Sequence, residues 1–122
     1  KLNGNIPAAL NNANELRALS LYNNKLSGGI PDLSKLTHLS DLYLDNNNLK
    51  GKIPEHLGKL KRLKDLRLSR NGFTGKIPDE IGDMDNLESL YLDRNALTGN
   101  LPITLSQLDH LEKFHAYDNK LK

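Results

Sequence analysis

The stretch from Leu39 to Arg62 reads LSDLYLDNNNLKGKIPEHLGKLKR, and its pattern starts again at Leu63 and at Leu87. Each restart comes 24 residues after the previous one. A fixed period of about 20 to 50 residues is the signature of a repeat architecture, in which each unit packs only against its neighbours. The sequence therefore predicts a solenoid of stacked coils, without a single central core.

The period divides the whole chain into units, some of them incomplete. Full units cover 16–38, 39–62, 63–86 and 87–110, and partial units cover 1–15 and 111–122. The unit 16–38 is one residue short, because Pro31-Asp32-Leu33 stands where the next unit has Pro54-Glu55-His56-Leu57. We therefore expect one domain over residues 1–122, with about five 24-residue repeats, as a piece of a longer chain.

Each unit contains a short stretch in which apolar and polar residues alternate. In Leu42-Tyr43-Leu44 the two leucines face inward and the tyrosine faces water, as in a half-buried strand. A long return path joins consecutive copies, so they must stack as parallel neighbours. Asparagines recur just after the strand, and we predict that their carboxamides form a buried ladder with backbone groups of adjacent coils. These ladder residues are Asn24, Asn47, Asn71, Asn95 and Asn119.

The second half of each unit predicts a turn and a short helix. All five prolines fall in Ile-Pro or Leu-Pro pairs, and proline suits the rim of a coil because it donates no hydrogen bond. After the proline, Leu57 and Leu60 have the three-residue spacing of a short helical turn. Thr74 and Thr98 hold the same repeat position, which predicts that they align across coils.

The unit L-x-x-L-x-L-x-x-N-x-L-x-G-x-I-P-x-x-L-x-x-L-x-x resembles the plant-specific class of leucine-rich repeat, found in receptor-kinase ectodomains and polygalacturonase-inhibitor-like proteins. The resemblance implies an α/β solenoid: a right-handed coil with a parallel sheet on the concave face. It also implies a second, smaller strand near the L-x-G-x-I-P segment and short 3-10 turns on the convex face. It implies recognition and an extracellular or cell-surface location, and it names no ligand. The absence of cysteines and of Asn-x-Ser/Thr sites leaves an intracellular location open.

Composition and spacing argue against several functional classes. The 17 basic and 15 acidic residues nearly balance, and no cysteine is available for disulfides or thiolate metal sites. The basic run from Lys59 to Arg70 is divided between two faces, which argues against nucleic acid. No zinc or phosphate-loop spacing is present, and the histidines do not converge with a nucleophile. We expect no enzyme activity, cofactor, metal or membrane insertion.

The water-facing positions of the predicted concave sheet are the candidate binding site. All four tyrosines of the chain fall there, and tyrosine and arginine are enriched where proteins contact partners. The competing explanation is that aromatic residues simply favour strands. The candidate residues are Tyr22, Tyr43, Asp45, Arg67, Arg70, Tyr91, Asp93, Arg94, His115 and Tyr117.

The prediction is a recognition module for a protein or peptide, with carbohydrate as a possible ligand. The alternative is an architectural segment of a larger assembly, docked through uncapped ends where several apolar residues are expected to be open to water. Those residues are Leu2, Ile6, Leu10, Phe114 and Leu121. Ice binding is disfavoured, because Ser27 and Lys50 interrupt the threonine array. Across neighbouring coils, Lys59 and Arg62 are expected to face Asp83 and Asn86.

Overall fold

A computed structural model of the protein describes residues 1–122 and contains eleven strands and four 3-10 helices. All strand pairs are parallel, and the strands form two sheets. The five-stranded sheet, here called the concave sheet, has the order β2-β4-β6-β8-β10. Its strands are β2 (Ala18–Ser20), β4 (Asp41–Tyr43), β6 (Asp65–Arg67), β8 (Ser89–Tyr91) and β10 (Lys113–His115). The predicted solenoid of stacked coils with a parallel sheet is confirmed.

The six-stranded sheet, here called the lateral sheet, is built from the segments that follow the five ladder asparagines and from the equivalent segment at the start of the chain. Its strands are β1 (Asn3–Asn5), β3 (Lys25–Gly28), β5 (Asn48–Lys52), β7 (Gly72–Gly75), β9 (Ala96–Gly99) and β11 (Lys120–Leu121). Equivalent residues pair directly in the concave sheet, as Leu42 does with Leu66. In the lateral sheet, by contrast, Thr74 pairs with Ala96 and Thr98 with Lys120. The expected alignment of Thr74 with Thr98 is therefore wrong, because neighbouring strands are offset by two residues.

The 3-10 helices lie on the return path of four of the coils, as the resemblance implied. They are Ala8–Asn12, Glu55–Lys59, Asp79–Asp83 and Ile103–Gln107, each preceded by a proline in extended conformation. The shortened unit 16–38 has no such helix. There the backbone N–H of Ser34 donates to Asp32 Oδ1 at 2.9 Å and closes a tighter turn. No helix has the length and the apolar character of a membrane span.

The core is one continuous cluster of 23 buried apolar residues that runs through the stacked coils. Leu42, Leu66 and Leu90 stack inside the concave sheet with no exposed surface. The expectation of open ends needs correction, because Ile6 is only 4% exposed and lies under the next coil. Leu10, Phe114 and Leu121 are half-buried against the core, and Leu2 alone of the five is 57% exposed.

Neighbouring return paths approach each other closely. A Cβ atom on the buried Gly58 would lie 2.5 Å from the carbonyl oxygen of Glu80, so only glycine fits there. Lys59 and Asp83 line one depression, as expected, but neither Lys59 nor Arg62 forms an ion pair or hydrogen bond with Asp83 or Asn86. Instead, Lys61 Nζ donates to the carbonyl oxygen of Asp83 at 2.8 Å, and Asn86 Nδ2 donates to the carbonyl oxygen of Lys61 at 2.7 Å.

Candidate functional site

The ladder asparagines connect each coil to the one before it. Asn47 Oδ1 accepts the backbone N–H of Leu26 at 3.0 Å, and its Nδ2 donates to the carbonyl oxygens of Leu21, Leu44 and Asp45. Asn24, Asn71, Asn95 and Asn119 each accept a backbone N–H from the preceding coil in the same way. These bonds hold the end of every concave strand in a fixed relation to the lateral sheet.

The central column of the concave sheet is a stack of aromatic and cationic side chains. Strand pairing places Tyr43 beside Arg67 and Arg67 beside Tyr91. The Arg67 guanidinium carbon lies 4.5 Å from the ring centroid of Tyr43 and 5.1 Å from that of Tyr91. A cation within about 6 Å of an aromatic face is attracted by the ring quadrupole. Arg67 is therefore held between two rings that come from neighbouring coils.

Asp65 fixes this stack from the adjacent column. It accepts a bidentate pair of hydrogen bonds from Arg67 Nε and Nη2, and a third from the Tyr43 hydroxyl at 3.2 Å. The hydrogen bond to Asp65 raises the pKa of Arg67, so the guanidinium remains charged. Burial, followed by the charge of Asp65, raises the pKa of Tyr43 and keeps its phenol protonated. Arg67, Tyr43 and Asp65 thus form one preorganised cluster.

The stack continues toward the last coil. The rings of Tyr91 and His115 meet edge to face at 4.7 Å, and those of His115 and Tyr117 lie 5.8 Å apart. Arg94 pairs with Asp118 at 3.5 Å and lies 5.8 Å from the Tyr117 ring.

At the other end of the stack, the Tyr22 ring meets that of Tyr43 at 6.4 Å. The structure thus brings most of the candidate residues into one band. Arg70 is exposed at the corner and makes no side-chain contact of this kind with the others.

The two candidate aspartates occupy different environments. Asp93 is only 5% exposed, which corrects the expectation that it faces water, and its Oδ1 accepts the Ser69 hydroxyl at 2.6 Å. Asp45 is half-buried, and the loss of hydration raises its pKa. Both line a shallow depression of about 160 Å³ together with Ser69, Arg67, Tyr91 and His115. This depression can receive a small polar or cationic group.

The corner after each concave strand has an unusual backbone. Five residues there adopt φ between 54° and 59°, in the left-handed region that L-residues rarely occupy. They are Asn23, Asn46, Arg70, Arg94 and Asp118. Asparagine tolerates this conformation well, whereas arginine has no such preference. Two candidate binding residues, Arg70 and Arg94, therefore lie on a strained backbone.

Sequence reasoning missed two residues with a role in the site and a third, His56, outside it. Asp65 is absent from the predicted binding set, although its position two residues before Arg67 places both on the same side of β6. Ser69 holds the same repeat position as Asp45 and Asp93, and its hydroxyl donates a hydrogen bond to Asp93. His56, on the return path, has a buried Nδ1 without a hydrogen-bond partner. No group of metal-ligating side chains comes together.

Comparison with known proteins gives two family matches. The family described as "Leucine rich repeat" matches residues 37–97, which is half of the chain. A second family, "Leucine Rich repeats (2 copies)", matches residues 14–55.

The most similar proteins include plant receptors. An inactive leucine-rich repeat receptor-like serine/threonine-protein kinase of Arabidopsis thaliana is 51% identical over 49 residues, which is 40% of this chain and 8% of the kinase. The Arabidopsis receptor kinase HAESA, solved with the peptide hormone IDA and the co-receptor SERK1, superposes with a TM-score of 0.93 at 37% identity. That match covers 98% of this chain and 20% of the solved chain.

A plant ice-binding protein superposes with a TM-score of 0.92 at 32% identity, over 98% of this chain and 39% of its own. The chain therefore spans well under half of each of these proteins.

Proposed function

This chain belongs to the leucine-rich repeat family, and from that membership we propose that it is a non-catalytic recognition module whose concave sheet binds a protein or peptide. The observation that carries the proposal is the position of Arg67 between the rings of Tyr43 and Tyr91. Asp65 holds the arginine and one of the tyrosines in place. Tyrosine and arginine are also the side chains most enriched at binding hot spots.

Preorganisation explains why such a stack suits recognition. Immobilising a flexible side chain on binding costs about 0.5–1.5 kcal/mol, and residues that are already held in place avoid much of that cost. The Tyr43 and Arg67 side chains are ordered by contacts within the chain before any partner arrives. The concave sheet therefore offers a rigid surface of aromatic rings with charged groups between them.

The depression beside the stack supports a partner with a basic group. Asp45 and Asp93 supply two carboxylates, and the Tyr91 ring supplies an aromatic wall. Arg67 opposes them with one guanidinium, so carboxyl groups outnumber strongly basic groups in the lining. A lysine or arginine side chain of a peptide would find both a carboxylate and an aromatic face there. The HAESA structure, which contains a peptide hormone, supports the peptide class of partner.

A random-peptide display library, selected against the purified chain, tests the proposal. For the selected peptides, at least one of the variants Tyr43→Ala, Arg67→Ala and Tyr91→Ala should lose about 2 kcal/mol or more of binding free energy. Ile103→Ala is the matched control, because Ile103 is 89% exposed and lies in the last 3-10 helix, away from the concave sheet. Normal binding by all three folded variants, or equal loss in the control, would contradict the concave-face assignment.

A further inference from the structure

The lateral sheet and the residues that flank it carry only basic charges. The segments that form and flank it are 1–6, 24–30, 47–53, 71–77, 95–101 and 119–122. They contain seven lysines and no aspartate or glutamate, which leaves ten basic against 15 acidic residues elsewhere. The lysines are Lys1, Lys25, Lys50, Lys52, Lys76, Lys120 and Lys122. A nearly neutral chain thus carries one strongly basic face.

These lysines are available to a partner. All seven are exposed, and none forms an ion pair with a carboxylate of the chain. Two of them are also positioned by packing. The aliphatic part of the Lys52 side chain passes over Gly75, and a Cβ atom on that glycine would lie 3.3 Å from Lys52 Cγ. The aliphatic part of the Lys76 side chain passes over Gly99 in the same way, and a Cβ atom there would lie 3.0 Å from Lys76 Cγ. The two glycines therefore let the lysine stems lie flat along the sheet.

A shallow depression marks where an anionic group can enter. It has a volume of about 480 Å³, and its lining includes Lys50, Arg70, Asn48 and Asn71 and no acidic residue. Two cations and several carboxamide groups therefore converge there. At the far margin of the sheet, Glu55, Asp79 and Glu80 line a separate depression together with Lys52 and Lys76. This margin limits the basic surface on the convex side.

From these observations we propose that the lateral sheet binds a linear acidic polysaccharide, in which carboxylates alternate with hydroxyl groups along the polymer. Six strands at a spacing of about 4.8 Å give a surface about 24 Å wide, which suits a polymer. Between the lysines lie neutral groups that can hydrogen-bond hydroxyls, including Ser27, Thr98 and Asn100.

Two other anionic partners fit this surface less well. The sheet carries no tyrosine or phenylalanine on its outer side, where peptide recognition and nucleic-acid stacking would use one, since Phe73 is buried. Its strands are already paired inside the sheet, so most of them offer no free edge for the addition of a peptide strand. A carboxylated glycan needs neither an aromatic platform nor a free edge.

Titration of fluorescein-labelled alginate oligomers with the whole chain, followed by fluorescence anisotropy, tests this proposal. Binding is expected at about 20 mM salt. It should weaken as the salt concentration rises, because binding releases counterions from the polyanion and added salt opposes that release. The triple variant Lys50→Gln, Lys52→Gln, Lys76→Gln should weaken binding by about tenfold or more and reduce the salt dependence.

The matched control is Lys59→Gln, Arg62→Gln, Lys64→Gln, which removes the same charge outside the lateral sheet. It should change the affinity by less than about twofold, since only contacts of the basic surface release counterions. Equal weakening in both triple variants would overturn the proposal, as would tighter or equal binding of poly-L-glutamate or of single-stranded DNA. An absence of alginate binding at low salt would overturn it as well. None of these variants touches the concave stack, so peptide binding there should persist whichever result is obtained.

Discussion

Arg67 and Asp65, two residues apart on β6, form a bidentate ion pair, with Nε–Oδ1 and Nη2–Oδ2 distances of 3.1 and 3.0 Å. Alternate residues of a strand point to the same side, so the pair lies across the face of the concave sheet. The same carboxylate accepts the Tyr43 hydroxyl from the preceding coil. Asp65 therefore couples side chains of two coils, and the contact between Arg67 and Tyr91 adds a third.

The Asp65→Asn variant should lower the pKa of Tyr43. The negative charge of Asp65 contributes to the raised pKa of this phenol, so its removal should shift the pKa toward the ordinary value of about 10. Phenolate absorbance measured against pH reports the change, and Tyr43→Phe identifies the signal. Asp118→Asn is the control, because Asp118 pairs with Arg94 far from Tyr43. An unshifted Tyr43 titration in Asp65→Asn would contradict the assigned coupling.

Replacing a ladder asparagine should destabilise the protein. Asn47→Ala removes the acceptor of the Leu26 N–H and a donor shared by three carbonyl oxygens, at a residue that is 8% exposed. Leaving such buried groups without hydrogen-bond partners costs about 1–3 kcal/mol. The loss is measured as a decrease in the free energy of unfolding in urea. The neighbouring Asn48 is exposed in β5, so Asn48→Ala should change stability by about 0.5 kcal/mol or less. Similar losses in both variants would rule out a specific role for the ladder bonds.

Relieving the strained corner should stabilise the protein. Arg70 has φ of 55°, and Arg70→Asn should raise the free energy of unfolding by up to about 1 kcal/mol, because asparagine adopts this conformation more readily. Arg94→Asn should gain less, since it also loses the contacts with Asp118 and Tyr117. Arg62→Asn, on an exposed turn without positive φ, controls for the change in charge. A loss of stability in Arg70→Asn would contradict this account.

His56 should make stability depend on pH in mildly acidic solution. Burial lowers its pKa, partly opposed by Asp32 at 4.0 Å, and Lys59 adds to the lowering. The unfolded chain therefore takes up the proton first as the pH falls below about 6.5. This contribution to stability is present at higher pH and is lost as the pH falls toward the pKa of the folded state. The free energy of unfolding, measured in urea at several pH values, should depend less on pH in His56→Gln than in the unmodified protein. An unchanged dependence on pH would exclude His56 as its source.

Much of the fold could be predicted from the sequence, because the 24-residue period determines which residues recur on the same side. The inward leucines of the concave sheet, such as Leu42 and Leu66, follow from alternation alone. The alternation of apolar and polar residues does not determine how deeply an outward-facing side chain is buried. Asp93 is buried while Tyr117, at the same repeat position, is 52% exposed, because side chains of neighbouring coils cover only Asp93.

The offset of the lateral sheet could not be predicted from the period. Equivalent positions align across coils only when strands stack without a shift, and the repeat carries no signal for the two-residue shift that separates Thr74 from Thr98. The left-handed corners were missed for a related reason. Asn23 and Asn46 suit that conformation, but Arg70 and Arg94 occupy it only because the fold imposes it at every coil.

The hydrogen bonds of the ladder asparagines give the solenoid a polarity. The amide hydrogens of Leu26, Leu49, Phe73 and Leu97 are each satisfied by a side chain that belongs to the following coil. Each ladder asparagine also donates to a carbonyl oxygen of the coil before it, as Asn47 does to Leu21, so loss of the later coil would leave both a donor and an acceptor of the remaining coil without their partner. Each turn of the superhelix is therefore closed by an asparagine that its successor supplies.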